Sequence, residues 1–132
     1  MTLRRLLILE AVFSLVTGLV LLLLPGWTLD LYGLETDAPG LFMTQTAAGL
    51  YIGVGLLAWL CRNVTEREFA RSLTAMYIVY HAVLLVVALI AWLGSDFDFD
   101  LGWVSVLIEL VFAVAFTIVR WRGPAVLAGG RS

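Results

Sequence analysis

The residues of this sequence that could do chemistry are few and lie inside long apolar stretches. Glu10, His81 and Glu109 are the only carboxyl or imidazole side chains in those stretches, and Tyr51 and Tyr77 add two phenol groups. A carboxyl group beside an imidazole can pass protons or hold a polar head group, and a tyrosine nearby adds a hydrogen-bond donor. These five residues therefore form a candidate ligand or proton site if the fold brings them together.

The composition shows what surrounds these residues. Of the 132 residues, 62% are hydrophobic and 14% are charged, and the mean hydropathy is +1.02. A soluble domain has about 45–50% apolar and about 25% charged residues. A membrane-spanning helix needs about 20 mostly apolar residues, and the stretches 6–24, 41–61, 72–94 and 101–119 qualify. The sequence therefore predicts a single all-α integral membrane domain over residues 1–132, a bundle of four transmembrane helices.

The charges outside the spans predict the orientation of the bundle. All eight basic residues are arginines, and each lies before the first span, around the loop between the second and third, or after the fourth. The other two loops contain six of the ten acidic residues and no basic one. Because basic loops stay in the cytoplasm, we expect both termini to be cytoplasmic and both acidic loops to be outside.

The two acidic loops differ in their patterns. Residues 25–33 combine apolar side chains with turn signals, which favours a short segment lying on the outer membrane surface. Asp96, Asp98 and Asp100 alternate with phenylalanines, and three carboxylates in five residues could hold a hard cation. The remaining ligands of a calcium loop are missing. We favour a solvated turn whose phenylalanines enter the membrane interface.

The depth of the candidate residues follows from a helix rise of 1.5 Å per residue, counted from the arginines at the span ends. His81 lies about 15 Å into the membrane, and Glu109 and Tyr51 each lie about 16 Å in. Since the hydrocarbon core is about 30 Å thick, these three residues are near its midplane. Glu10 lies about 8 Å in, near the level of Tyr77. We therefore expect Tyr51, His81 and Glu109 at one level, with Glu10 and Tyr77 beneath on the cytoplasmic side.

Small and polar residues share one face of each span, which indicates how the helices associate. Helices in lipid associate through small residues and interhelical hydrogen bonds, because no hydrophobic effect drives them together. A second face of the second span has Gly49 and Gly53 at GxxxG spacing. We expect close contact there with a neighbouring helix of the same chain, and contact with another protomer is the alternative.

Several other functions are excluded by what the sequence lacks. It has no HExxH, GxGxxG, P-loop or serine-nucleophile motif. The one cysteine, Cys61, excludes an intramolecular disulfide and a multi-cysteine metal site, and we expect it to pack. A net charge of −2 excludes binding of nucleic acid through a basic surface. We expect no metal, no cofactor and no enzymatic activity.

Three segments resemble a known group of small bacterial membrane proteins. They are Gly-Leu-Val-Leu-Leu-Leu-Leu-Pro-Gly-Trp at 18–27, Leu-Tyr-Gly-Leu at 31–34 and Ala-Ala-Gly-Leu-Tyr-Ile-Gly-Val-Gly-Leu-Leu at 47–57. Together they look like the DoxX-like proteins and related uncharacterised four-span families. The resemblance implies the same four-helix architecture in a bacterial inner membrane, and it transfers no catalytic residue.

Two functional hypotheses follow from these patterns. The first is a non-enzymatic membrane protein, an accessory or assembly subunit that associates through its helices with a larger membrane complex or with copies of itself. In that case the five candidate residues hydrogen-bond between helices and fix their packing. The alternative is a small transporter or lipid-soluble ligand binder, with a proton-coupled site at Tyr51, His81 and Glu109. In both cases membrane lipid is the surrounding partner.

Overall fold

The structure, a computed structural model, describes residues 1–94 and 102–122, which form α-helices joined by short connections. Its helices are α1 (Leu3–Leu23), α2 (Pro25–Leu31), α3 (Ala38–Cys61), α4 (Arg67–Leu93) and α5 (Gly102–Trp121). No strand occurs in these residues. All helices except α2 are long and apolar enough to cross a membrane. The predicted all-α class with four membrane-length helices is therefore confirmed, and the loop segment 25–33 contains the additional short helix α2.

Side-chain caps and prolines determine where the helices begin. The Thr2 hydroxyl accepts a hydrogen bond from the Arg5 backbone N–H at the start of α1. The Asp37 carboxylate accepts one from the Gly40 N–H at 2.7 Å at the start of α3, as N-cap residues do. Pro25 occupies the first turn of α2 directly after α1 ends, where a proline is tolerated. The capped helices α1 and α3 therefore start three residues before the apolar stretches 6–24 and 41–61, and α4, which has no side-chain cap, starts five residues before the stretch 72–94.

The long helices form two closely packed pairs, α1 with α3 and α4 with α5. Glycines bring α1 and α3 together. A Cβ atom added to Gly18 would lie 2.7 Å from Cγ1 of Ile52, and one added to Gly55 would lie 2.9 Å from Cγ of Leu15. Because neither position has room for a side chain, the two backbones can approach as small-residue interfaces in membranes do.

Large buried side chains join the two pairs. The cluster at the end of the bundle where α1 begins includes Leu3, Leu6, Leu7, Tyr77 and Phe116, each 1% exposed or less. The opposite faces of the helices expose aliphatic side chains instead, many of them more than half exposed. This is the pattern of a bundle that is packed inside and surrounded by lipid.

The arginines of the described residues lie at one end of the bundle. The Arg120 guanidinium at the end of α5 donates a hydrogen bond to the Arg71 carbonyl at the start of α4. Met1 and Arg122 line one groove, so the beginning of α1 lies beside the end of α5. Arg62, in the short connection from α3 to α4, belongs to the same end. The predicted segregation of basic residues thus appears as one arginine-rich end.

The glycine pair of α3 is open on its outer side. A Cβ atom added to Gly49 or Gly53 would have no atom within 4 Å among the described residues. The expected contact of this face with a neighbouring helix of the same chain is therefore wrong for this part of the chain. The reason is that α1 packs against the other face of α3, which contains Ala48, Gly55 and Ala58. Contact with another protomer stays a prediction.

Candidate functional site

Three helices meet at a single imidazole ring. His81 of α4 is hydrogen-bonded through Nδ1 to Oε2 of Glu109 on α5, at 2.7 Å, and through Nε2 to Oε2 of Glu10 on α1, at 3.1 Å. We call Glu10, His81 and Glu109 the Glu–His–Glu triad. Through the two nitrogens of the only histidine in the sequence, the Nδ1 bond holds α4 to α5, and the Nε2 bond links the α4–α5 pair to the α1–α3 pair.

The triad is almost completely removed from the surface. Glu10 is 0% exposed, His81 1% and Glu109 5%. The Ser14 hydroxyl, one turn further along α1, donates a hydrogen bond to Oε1 of Glu10 at 2.7 Å. Among the described residues, no buried side-chain nitrogen or oxygen lacks a hydrogen-bond partner. The interior polar groups therefore satisfy one another, as buried polar groups must in an apolar environment.

Aromatic rings enclose the imidazole. The ring of Phe112 stacks on His81 with centroids 4.9 Å apart and 9° between the planes, and Phe116 stacks at 5.8 Å. The edge of Tyr80 meets the ring at 5.0 Å and 72°. Such rings exclude water and fix the orientation of the imidazole, and their faces attract a cation. The enclosure favours a well-defined position for both hydrogen bonds of His81.

Tyr77 joins α4 to the fourth long helix. Its hydroxyl donates a hydrogen bond to the Val54 carbonyl of α3 at 2.9 Å. Its ring stacks on Phe116 with centroids 4.7 Å apart and lies 6.4 Å from the His81 ring. Tyr77 therefore lies beside the triad on the side expected from the sequence, but its hydroxyl bonds to backbone and not to the triad.

Tyr51 lies at the edge of the site. It is half-buried on α3 and within electrostatic range of Glu109 and Glu10. Among the described residues, it has no hydrogen bond to any member of the triad. The structure thus joins Glu10, His81 and Glu109 directly, places Tyr77 against the rings and leaves Tyr51 at the periphery.

Two neighbours of the triad did not stand out as site residues in the sequence. Ser14 follows Glu10 by four residues, a spacing that puts both on one helix face, so the sequence contained a signal for their hydrogen bond. Tyr80 precedes His81 directly, and no periodicity distinguishes it from other aromatic residues of the span. Its contact with the imidazole follows from helix packing alone.

Metal binding has no support in the part of the chain that the structure describes. No group of three or more His, Cys, Asp or Glu side chains there could hold a metal ion. Cys61 is a half-buried free thiol packed against the core cluster. The acidic run Asp96, Asp98 and Asp100, considered above for a hard cation, lies outside the described residues. The chemistry that the triad itself offers is hydrogen bonding and proton exchange.

The fold and site together define a helical protein with four membrane-length helices and an internal Glu–His–Glu triad. Residues 8–131 match the family described as Domain of unknown function (DUF8292). Since the match covers most of the chain, the protein belongs to this family. No curated protein and no solved structure matched the chain. The resemblance to DoxX-like proteins is not tested by the family match and stays a prediction.

Proposed function

We propose that this protein is a non-enzymatic integral membrane protein that acts as an accessory or assembly subunit, associating through its helices with other membrane proteins. The interior polar groups support this proposal because they bond to one another and fix the bundle. A rigid bundle with an apolar exterior presents helix faces to other membrane proteins.

The observation that most favours association is the outer face of α3. Gln45, Gly49 and Gly53 follow one another at four-residue intervals, so they form one line along the helix. The glycines have no neighbour within 4 Å among the described residues. Gln45 is exposed, and its amide has no hydrogen bond to any of those residues. Small residues permit close approach of another helix, and an amide in lipid gains from a partner across the interface.

Substitution of an outward glycine tests the proposal. We expect the chain, extracted in mild detergent or native nanodiscs, to copurify with another membrane protein or a second copy, and Gly53→Leu to abolish this association. Helix content measured by circular dichroism should not change, because the position is open. Val83→Leu on the exposed side of α4 is the matched control. A partner-free monomer in both media contradicts the proposal.

The orientation belongs to the same proposal. The arginine-rich end would face the cytoplasm, with both termini on that side, since basic ends of membrane helices stay inside. A bacterial inner membrane is the proposed location, in keeping with the DoxX-like resemblance.

A second candidate function is a small transporter or a binder of a lipid-soluble ligand, with proton coupling. The observation in its favour is that the side chain of Glu109 keeps 7% exposure while that of Glu10 has none, so the Glu109 end of the triad is the less buried one. Four helices are few for a solute path, and a dimer would be needed. A pH-dependent flux in proteoliposomes that is lost in Glu109→Gln supports this function, and equal flux in the variant counts against it.

A further inference from the structure

The two hydrogen bonds of His81 set a minimum number of protons in the triad. The Nδ1–Oε2 distance to Glu109 is 2.7 Å and the Nε2–Oε2 distance to Glu10 is 3.1 Å. A nitrogen lone pair and a carboxylate oxygen repel each other at these distances unless a proton lies between them. A neutral imidazole has one N–H, so the second proton either makes an imidazolium or resides on a carboxyl group.

With two protons bound, the triad has a net charge of −1, whichever of its atoms hold them. Two carboxylates contribute −2 and an imidazolium contributes +1, and moving a proton along either bridge does not change the sum. The titratable groups that face the triad from the described helices are Tyr51 on α3 and Tyr77 and Tyr80 on α4. None of them supplies a positive charge, and the arginines of the described residues lie at the end of the bundle. A net charge inside a bilayer is unfavourable.

One oxygen of the triad is free to take a third proton. Oε1 of Glu10 already accepts the Ser14 hydroxyl. Oε1 of Glu109 has no hydrogen-bond partner among the described residues, and no unpaired side-chain oxygen there is fully buried. That oxygen is therefore not fully enclosed, and the Glu109 side chain as a whole keeps 7% exposure.

We propose that the Glu–His–Glu triad is a proton-binding site that takes up a third proton at Oε1 of Glu109. The proton comes from bulk water, an O–H bond forms at Oε1, and the carboxylate becomes a carboxylic acid. The imidazolium keeps both N–H groups, and Glu10 remains a carboxylate that accepts from His81 and Ser14. The occupied triad is neutral, and release of the proton restores the charge of −1. This inference goes beyond membrane association and does not depend on it.

Infrared spectroscopy of the protein in lipid bilayers at neutral pH tests the proposal. The wild type should show the carbonyl band of one carboxylic acid per chain, because exposed carboxyl groups are ionised at this pH. The band should shift on transfer to D₂O, since Oε1 touches the surface, and should be lost entirely in Glu109→Gln. Glu35→Gln, which changes an exposed carboxyl group, is the matched control and should keep the band. A wild type without the band, a band that does not shift, or a band that persists in Glu109→Gln overturns the proposal.

A second measurement uses the unchanged chain and so remains decisive if Glu109→Gln fails to fold. With ¹³C at the glutamate carboxyl carbons and ¹⁵N in the histidine, solid-state NMR distinguishes carboxylic acid from carboxylate carbons and an imidazolium from a neutral imidazole. The second distinction counts the third proton, because a triad with two protons and an acid at Glu109 has a neutral imidazole, whereas the proposed triad has an imidazolium. The acid carbon should lie next to Nδ1 of His81, which faces Glu109. A neutral imidazole, an acid carbon next to Nε2, which faces Glu10, or two carboxylate carbons contradicts the assignment.

Discussion

At the scale of single residues, His81 joins three helices through its two hydrogen bonds. It contacts a carboxyl group on each of two other helices, and it is 1% exposed. Counting residues from the span ends predicted that His81 and Glu109 lie at the same depth in the membrane. In the structure the two side chains are hydrogen-bonded. Glu10 was expected beneath, because counting residues locates only the backbone. The structure bonds its carboxylate to the imidazole, which no count along the sequence can show.

Removal of the imidazole should be strongly destabilising. We expect His81→Ala to lower the free energy of unfolding by about 3–5 kcal/mol, because it leaves two buried carboxyl groups without their partner. Reversible unfolding in mixed micelles, followed by circular dichroism, measures the change. Val83→Ala, two residues further along α4 and exposed, is the control and should have little effect. Equal stability of the two variants would show that the triad does not hold the bundle.

The Tyr77 hydroxyl has a smaller, separate role. We expect Tyr77→Phe to cost about 0.6 kcal/mol, the typical value of one interhelical hydrogen bond in a membrane, because the Val54 carbonyl loses its donor while the ring stacking remains. Tyr80→Phe is the matched control, since the Tyr80 hydroxyl has no hydrogen bond to the described residues. The same unfolding assay compares them. Indistinguishable losses for the two variants would contradict a role for the bond to Val54.

At the scale of helices, the apolar stretches predicted which parts of the chain cross the membrane, but not how the helices pair. Hydropathy identifies segments that prefer lipid, but it contains no information about which helices pack against each other. Pairing of α1 with α3 depends on two glycines that leave room for the facing helix. Gly18 of α1 lies against Ile52, and Gly55 of α3 lies against Leu15. The stripe of small and polar residues indicated that the face of α3 with Ala48, Gly55 and Ala58 would be covered, as it is, but sequence alone did not show which helix would cover it.

Glycines on the two faces of α3 should therefore differ in their response to substitution. We expect Gly55→Ala to destabilise the protein by about 1–3 kcal/mol, as overpacking does, because the new methyl group would lie 2.9 Å from Leu15. Gly53→Ala, the matched control on the open face, should leave the stability of the monomer almost unchanged. Thermal unfolding in detergent at low protein concentration measures both. Greater damage from Gly53→Ala would mean that α3 is rotated relative to the arrangement described.

At the scale of the whole molecule, the arginine-rich end defines a direction across the membrane. The sequence indicated this asymmetry because the charged residues outside the spans are few, and the loops that contain no basic residue alternate with the segments that contain the arginines. The structure adds that the start of α1 lies beside the end of α5. Which side of the membrane each end faces is decided during insertion, and the distribution of basic residues controls that orientation.

Labelling of single cysteines tests that orientation. In a Cys61→Ala background we expect Ala38→Cys, at the exposed start of α3, to react with a membrane-impermeant maleimide added to intact cells. Thr65→Cys, exposed between α3 and α4, should react only after the membrane is opened. The two positions flank the same helix, so each is the control for the other. The reverse pattern would place the arginine-rich end outside.

The central feature of the protein is one imidazole ring bonded to two carboxyl groups on different helices, and solid-state NMR in bilayers measures these contacts directly. The chain contains one histidine, so ¹⁵N-histidine with ¹³C-carboxyl glutamate gives one pair of imidazole signals. We predict that each nitrogen correlates with one glutamate carboxyl carbon, that Glu109→Gln removes only the Nδ1 correlation, and that Glu10→Gln removes only the Nε2 correlation. Imidazole nitrogens without any glutamate correlation, or correlations that survive both substitutions, would contradict the Glu–His–Glu triad.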